Sequence, residues 1–92
     1  HARQAARALD AQAHIAKSLH GDHSLEYANY RREAGGMWYR AGESVRAIRA
    51  LRVSSDIFSA HFGERDRRVR SALALIRKAR RSKPAAGTGV RT

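Results

Sequence analysis

The stretch GGMWYRAGESVRAIRALRVSS, residues 35–55, decides how this chain folds: it sets two glycines directly before Met37, Trp38 and Tyr39, inside a region of helical periodicity. A mid-helix glycine costs up to about 1 kcal/mol of helix propensity relative to alanine. A helix that keeps two of them beside its largest side chains needs space there. Removing the side chain at Gly35 lets a second, antiparallel helix approach closely, and Trp38, one turn on, fills the room beneath Ala47 and Leu51. Burial of so large a side chain stabilises by roughly 1.5–3 kcal/mol or more, enough to offset the glycine.

Working outward, apolar residues recur at steps of three and four along the chain, and no stretch alternates with period two. The pattern predicts four helices and an all-α fold of antiparallel helical hairpins. The first runs over about 2–19, with Ala5, Leu9, Ala13, Ala16 and Leu19 on one stripe; Gly21 ends it, and Asp22 or Ser24 caps the next. The second covers about 24–41, aligns Tyr27, Tyr30, Ala34, Met37, Trp38 and Ala41, and closes at Gly42. The third, about 43–62, has the cleanest face: Ile48, Leu51, Ser55, Phe58 and Phe62. After Gly63 the fourth, about 64–81, offers Val69, Ala72, Leu73, Ile76 and Ala79 to the core. Residues 1–82 read as one helical domain. Residues 83–92, KPAAGTGVRT, read as an extended basic C-terminal tail in which Pro84, Gly87 and Gly89 forbid a continuing helix.

An internal echo sits on this frame. LHGDHS, residues 19–24, and HFGERD, residues 61–66, each place a glycine and an acid between two helices, and Gly21 and Gly63 stand 42 residues apart. Between them come small Gly35, aromatic Trp38, turn Gly42, then Ala47, Leu51 and small Ser54. This order resembles the packing signature of a tetratricopeptide repeat hairpin, and the 42-residue spacing is similar to the kinesin light chain variety. The resemblance covers about residues 9–80. It implies a hairpin scaffold that binds other proteins, with Gly35, Trp38, Gly42, Ala47, Leu51 and Ser54 as its structural positions. The pattern is degenerate: Arg31 or Arg32 stands where the family usually has a large apolar residue, and Ser44 where the second helix usually opens with an aromatic.

Ninety-two residues without cysteine cannot rely on disulfides or thiolate metal sites. A chain this short buries only roughly 60–65% of the surface its unfolded form exposes, so stability as an isolated monomer is expected to be poor. Lys and Arg number 19 against 8 acids, a net charge of +11. Residues 64–92 carry ten basic groups against Glu64 and Asp66, which is +8 of that excess. Such a field favours an acidic protein surface, nucleic acid or anionic lipid. No apolar run approaches a membrane span. The arginine-rich, acid-poor start HARQAARALDAQAHIAK resembles the edge of a mitochondrial import sequence, which favours a mitochondrial over a cytoplasmic location.

Catalytic and metal patterns do not assemble. His20 and His23 flank a turn, with His14 nearby, and no carboxylate pair completes a metal shell. Asp56, Ser59 and His61 point in different directions on a helix, and no phosphate-cradling glycine loop is present. No enzymatic activity and no cofactor are expected. The arginines carry the remaining signal: Arg46, Arg49 and Arg52 on the third helix, Arg67, Arg70, Arg77, Arg80 and Arg81 on the fourth, and Lys83 beyond it. Guanidinium groups pair bidentately with carboxylate or phosphate. The reading is a non-catalytic scaffold or accessory subunit of a larger assembly, docked through these arginines on acidic protein subunits. The alternative is a peripheral component of a ribonucleoprotein, such as a mitochondrial ribosome, with the same arginines on the RNA phosphate backbone.

Overall fold

The computed structural model describes residues 1–82, and Lys83 with the rest of the basic tail lies outside the described residues. Four helices follow in order: α1, Ala2–His20; α2, Leu25–Arg40; α3, Ser44–Phe62; and α4, Arg67–Arg81. Each packs on its sequence neighbour, and α2 also touches α4, while α1 meets only α2. The molecule is therefore an array of hairpins, not a closed bundle, with a Cα envelope of 44 × 28 × 17 Å.

The short connections follow from capping chemistry. The turn after α2 is a Schellman motif: Glu43 N–H donates to the carbonyl of Trp38 and Gly42 N–H to that of Tyr39, with Gly42 at φ 78°. The other two turns repeat one another at the 42-residue spacing. Gly21 and Gly63 adopt φ 100° and 91°, a region closed to residues with a Cβ; their N–H groups bond the carbonyls of Lys17 and Ser59. Ser24 and Asp66 then cap α2 and α4, accepting from the backbone N–H of Tyr27 and Arg68. The sequence echo is thus an echo of backbone geometry. Of the two caps the sequence offers for α2, Ser24 serves, and one expectation shifts: α4 begins at Arg67 instead of residue 64 because Asp66 is its cap.

The core has two parts. One draws on all four helices, through Ala6, Ala34, Trp38, Ala47, Leu51, Ala72 and Ile76; the other joins Ala28, Ile57, Phe58 and Val69. Alanine supplies four of the seven residues of the first part, which lets the helices sit close there. Met37 and Ile48 are half-buried at the edge of the first part. Three residues expected in the core are exposed. Leu19 and Phe62 lie at the last turns of α1 and α3, at the ends of the hairpins. Leu73 lies beside the buried stripe Val69–Ala72–Ile76–Ala79 and, because α4 ends the array of described helices, nothing covers that flank.

Candidate functional site

At the crossing of α2 and α3, Gly35 lies against Ala47 and Leu51, which share a core cluster with Trp38. A Cβ built on Gly35 would lie 2.6 Å from Leu51 Cγ and 3.4 Å from the Ala47 carbonyl oxygen, whereas one on Gly36 meets nothing within 4 Å. Only the first glycine of the pair is forced by packing. Trp38, Ala47, Leu51 and Ser54 are all buried, and the Ser54 hydroxyl, enclosed by its neighbours, is satisfied by donating to the Leu51 carbonyl at 2.9 Å. These positions hold the hairpin together and offer no reactive group to solvent.

Trp38 has two partners. Its indole Nε1 donates to Asp10 Oδ2 at 3.0 Å, from α1, and the Arg46 guanidinium of α3 lies 4.8 Å from the ring centroid, a cation–π distance. Asp10 was not singled out by the sequence reading. A signal existed: it falls on the helical stripe between Ala6 and Ala13, both buried, where a carboxylate needs a specific donor.

All eight predicted arginines within the described residues are exposed, but they do not form one face. Arg46 and Arg49 border a small cavity of about 110 Å³ above Trp38, walled by Asp10 of α1 and Arg31 of α2. Arg49 and Arg52 stand among Val45, Ile48 and Val53 on the outer side of α3, with Asp56 at its end. Arg52, Arg77 and Arg80 surround Leu73 and Ile76 in a groove of about 560 Å³ between α3 and α4. Arg67, Arg70 and Arg77 run with Arg65 along the far side of α4, and Arg81 sits at its exposed C-terminal end. Helix geometry explains the split, since a three-residue step advances 300° and carries successive arginines around the axis.

Asp10 lines the cavity above Trp38 and Asp56 lines both the outer side of α3 and the α3/α4 groove, but neither forms an ion pair with the arginines there. Among the described residues the Arg–acid pairs are Arg3 with Glu43 at 2.6 Å and Arg68 with Asp66 at 2.9 Å, and none of the eight predicted arginines takes part. Arg68 was not among the predicted binding residues, and it serves the fold. Its guanidinium bonds both Asp66 oxygens and lies 3.8 Å from the Phe62 ring centroid. Those side-chain hydrogen bonds, followed by the backbone bond from Arg68, hold the Asp66 carboxyl below its usual range.

His61 Nε2 donates to the His23 carbonyl at 2.9 Å, linking the end of α3 to the turn before α2. Among the described residues no three His, Asp or Glu side chains gather to hold a metal ion. No described helix is long and apolar enough to cross a membrane. No family model, curated protein or solved structure matches the chain.

Proposed function

We propose that the protein is a non-catalytic binding component, a scaffold or accessory subunit of a larger assembly, which docks an acidic partner protein along α3 and α4. The observation that supports this most is the mixed lining of the α3/α4 groove, where unpaired Arg52, Arg77 and Arg80 stand around apolar Leu73 and Ile76. Leu73 and Val45 are 41% and 60% exposed, so water meets aliphatic surface directly beside guanidinium groups. Arginine combined with apolar contact is typical of protein interfaces. An acidic segment with aliphatic residues between its carboxylates would satisfy both.

A degenerate tetratricopeptide origin is part of the proposal. It is supported by the 42-residue correspondence of the turns at Gly21 and Gly63 and by the Gly35–Leu51 contact.

A second reading, contact with RNA phosphates, is favoured by the far side of α4. There Arg65, Arg67, Arg70 and Arg77 accompany only Ser71 and Ala74. Two variants separate the readings. Protein docking in the groove expects Leu73→Ser, which leaves the charge untouched, to weaken partner binding by about fivefold or more, and Arg77→Gln with Arg80→Gln to weaken it further. Phosphate contact expects Leu73→Ser to be neutral and each lost arginine contact to reduce the salt dependence by roughly one power.

A further inference from the structure

Helices α1 and α3 correspond in position and partly in sequence. Both are 19 residues long, and they start 42 residues apart, at Ala2 and Ser44. The run Ala5-Ala6-Arg7-Ala8-Leu9 returns as Ala47-Ile48-Arg49-Ala50-Leu51, and Ile15 returns as Ile57. Positions 5, 8, 12 and 15 share one flank of α1, as 47, 50, 54 and 57 do on α3. On α3 that flank is covered by α2: Gly35 lies against Leu51 and Ala47, Ala50 lines the cavity above Trp38, and Ile57 clusters with Ala28. On α1 the same flank meets solvent. Ala8, Gln12 and Ile15 are exposed, with Ile15 at 49% against 5% for Ile57, and Leu19, one turn beyond Ile15, is exposed as well. The opposite flank of α1, with buried Ala6, Ala13 and Ala16, is the one that packs on α2.

The two ends of the described array therefore differ. The outer surface of a terminal unit in a stacked array is normally polar. Helix α4 meets that condition: the positions 42 residues after Gly35 and Trp38 are Arg77 and Arg80, both exposed, so a further helix would meet guanidinium side chains where α2 presents no Cβ. Helix α1 does not meet it, because its open flank repeats residues that α3 buries. A second copy of the chain is a poor occupant. Stacked head to tail, it would bring Arg77 in place of Gly35 onto Leu9. Pairing of α1 with α1 would join two basic helices, each with Asp10 as its one acid and that carboxylate already bonded to Trp38, in chains of net charge +11.

We propose that this flank of α1 is a docking face for a helix of a partner protein, one that carries glycine with a large aromatic residue three positions later, as α2 presents Gly35 and Trp38 to α3. The partner's glycine sits over Leu9 as Gly35 sits over Leu51, and acidic side chains beside the crossing meet Arg7, which is exposed and has no acidic partner among the described residues. Helix α1 touches neither α3 nor α4, so the face stands whether or not the α3/α4 groove docks an acidic protein. The probe is a synthetic peptide of residues 24–43, the α2 sequence, added to the isotope-labelled full chain and followed through its amide resonances. The expected result is saturable binding with shifts centred on α1 around Ala8 and Ile15. Gly35→Leu in the peptide should weaken binding by about tenfold or more, although leucine is the better helix former. Ala8→Glu with Ile15→Glu in the chain should weaken it by about tenfold or more as well, at an unchanged melting temperature because both positions are exposed. Binding that does not saturate, or equal binding of the Gly35→Leu peptide, overturns the proposal. So do shifts centred on Ala47 and Leu51, which would mean exchange with the chain's own α2. Self-association of the chain alone that Ala8→Glu/Ile15→Glu abolishes would assign the face to a second copy and overturn it too. If the double variant does not fold, the comparison of the two peptides still decides.

Discussion

A methyl group at Gly35 would press on Leu51 Cγ, and Leu51 is itself enclosed with 1% exposure, so it has nowhere to retreat. Gly35→Ala is therefore expected to destabilise by about 1–3 kcal/mol through overpacking, despite the better helix propensity of alanine. Gly36→Ala, with open space around the new Cβ, should be neutral or stabilising by up to about 1 kcal/mol. Urea denaturation of the two variants checks the pair, and equal effects would show that the close approach is not what demands the glycine. The sequence made half of this legible. Small-before-large spacing marks a helix crossing, but it cannot tell which of two adjacent glycines faces the partner. Asp10 was missed for a related reason: its role depends on Trp38, 28 positions away, and a lone acid in an alanine-rich helix reads as solvated.

At the level of the element, the entry into α4 joins several local devices. Asp66 caps the helix and holds Arg68, whose guanidinium covers the exposed end ring Phe62. Helix α4 buries mainly small and medium residues, so this lock helps define where it starts. Its contribution depends on an ionised Asp66 carboxylate, whose folded pKa is lowered chiefly by the Arg68 side-chain hydrogen bonds. With a lowered folded value, the stabilisation is fully present above the unfolded carboxylate pKa, about 3.9, and disappears as pH falls through the folded value. Asp66→Asn retains a neutral cap but loses the ion pair. Melting temperatures of wild type and Asp66→Asn should differ at pH 7 and converge as the pH is lowered below about 4. A gap that persists at acid pH would mean that the charge of the Asp66 carboxylate is not what stabilises the entry into α4. The existence of all four helices was legible from periodicity. The exact start of α4 was not, because both Glu64 and Asp66 follow Gly63 and only the backbone path chooses between them.

Across the whole molecule, stability and binding both follow from the array. Helix α1 packs on α2 alone, whereas α2 and α3 each lie between neighbours. Local opening should accordingly begin in the end helices of the described array, and native-state hydrogen exchange should give the amides of α1 less protection than those buried at the centre of α3. Uniform protection across α1 and α3 would point to a single closed core. The hairpin order was readable because glycine turns and apolar spacing are local features. The arginine surface was readable only as composition: eight exposed arginines were named, but the groove that places Arg52 beside Arg77 and Arg80 comes from the α3–α4 packing, and Leu73 was assigned to the core instead of to that groove. What those arginines bind is best tested by purifying the tagged protein natively at low salt from the cells that make it. Wild type and Arg52→Gln/Arg77→Gln/Arg80→Gln would be compared, with and without ribonuclease, by mass spectrometry of the retained proteins. Docking on an acidic subunit requires a stoichiometric partner that survives ribonuclease and is lost from the variant. A partner set that vanishes with ribonuclease would assign the arginines to RNA and contradict protein docking.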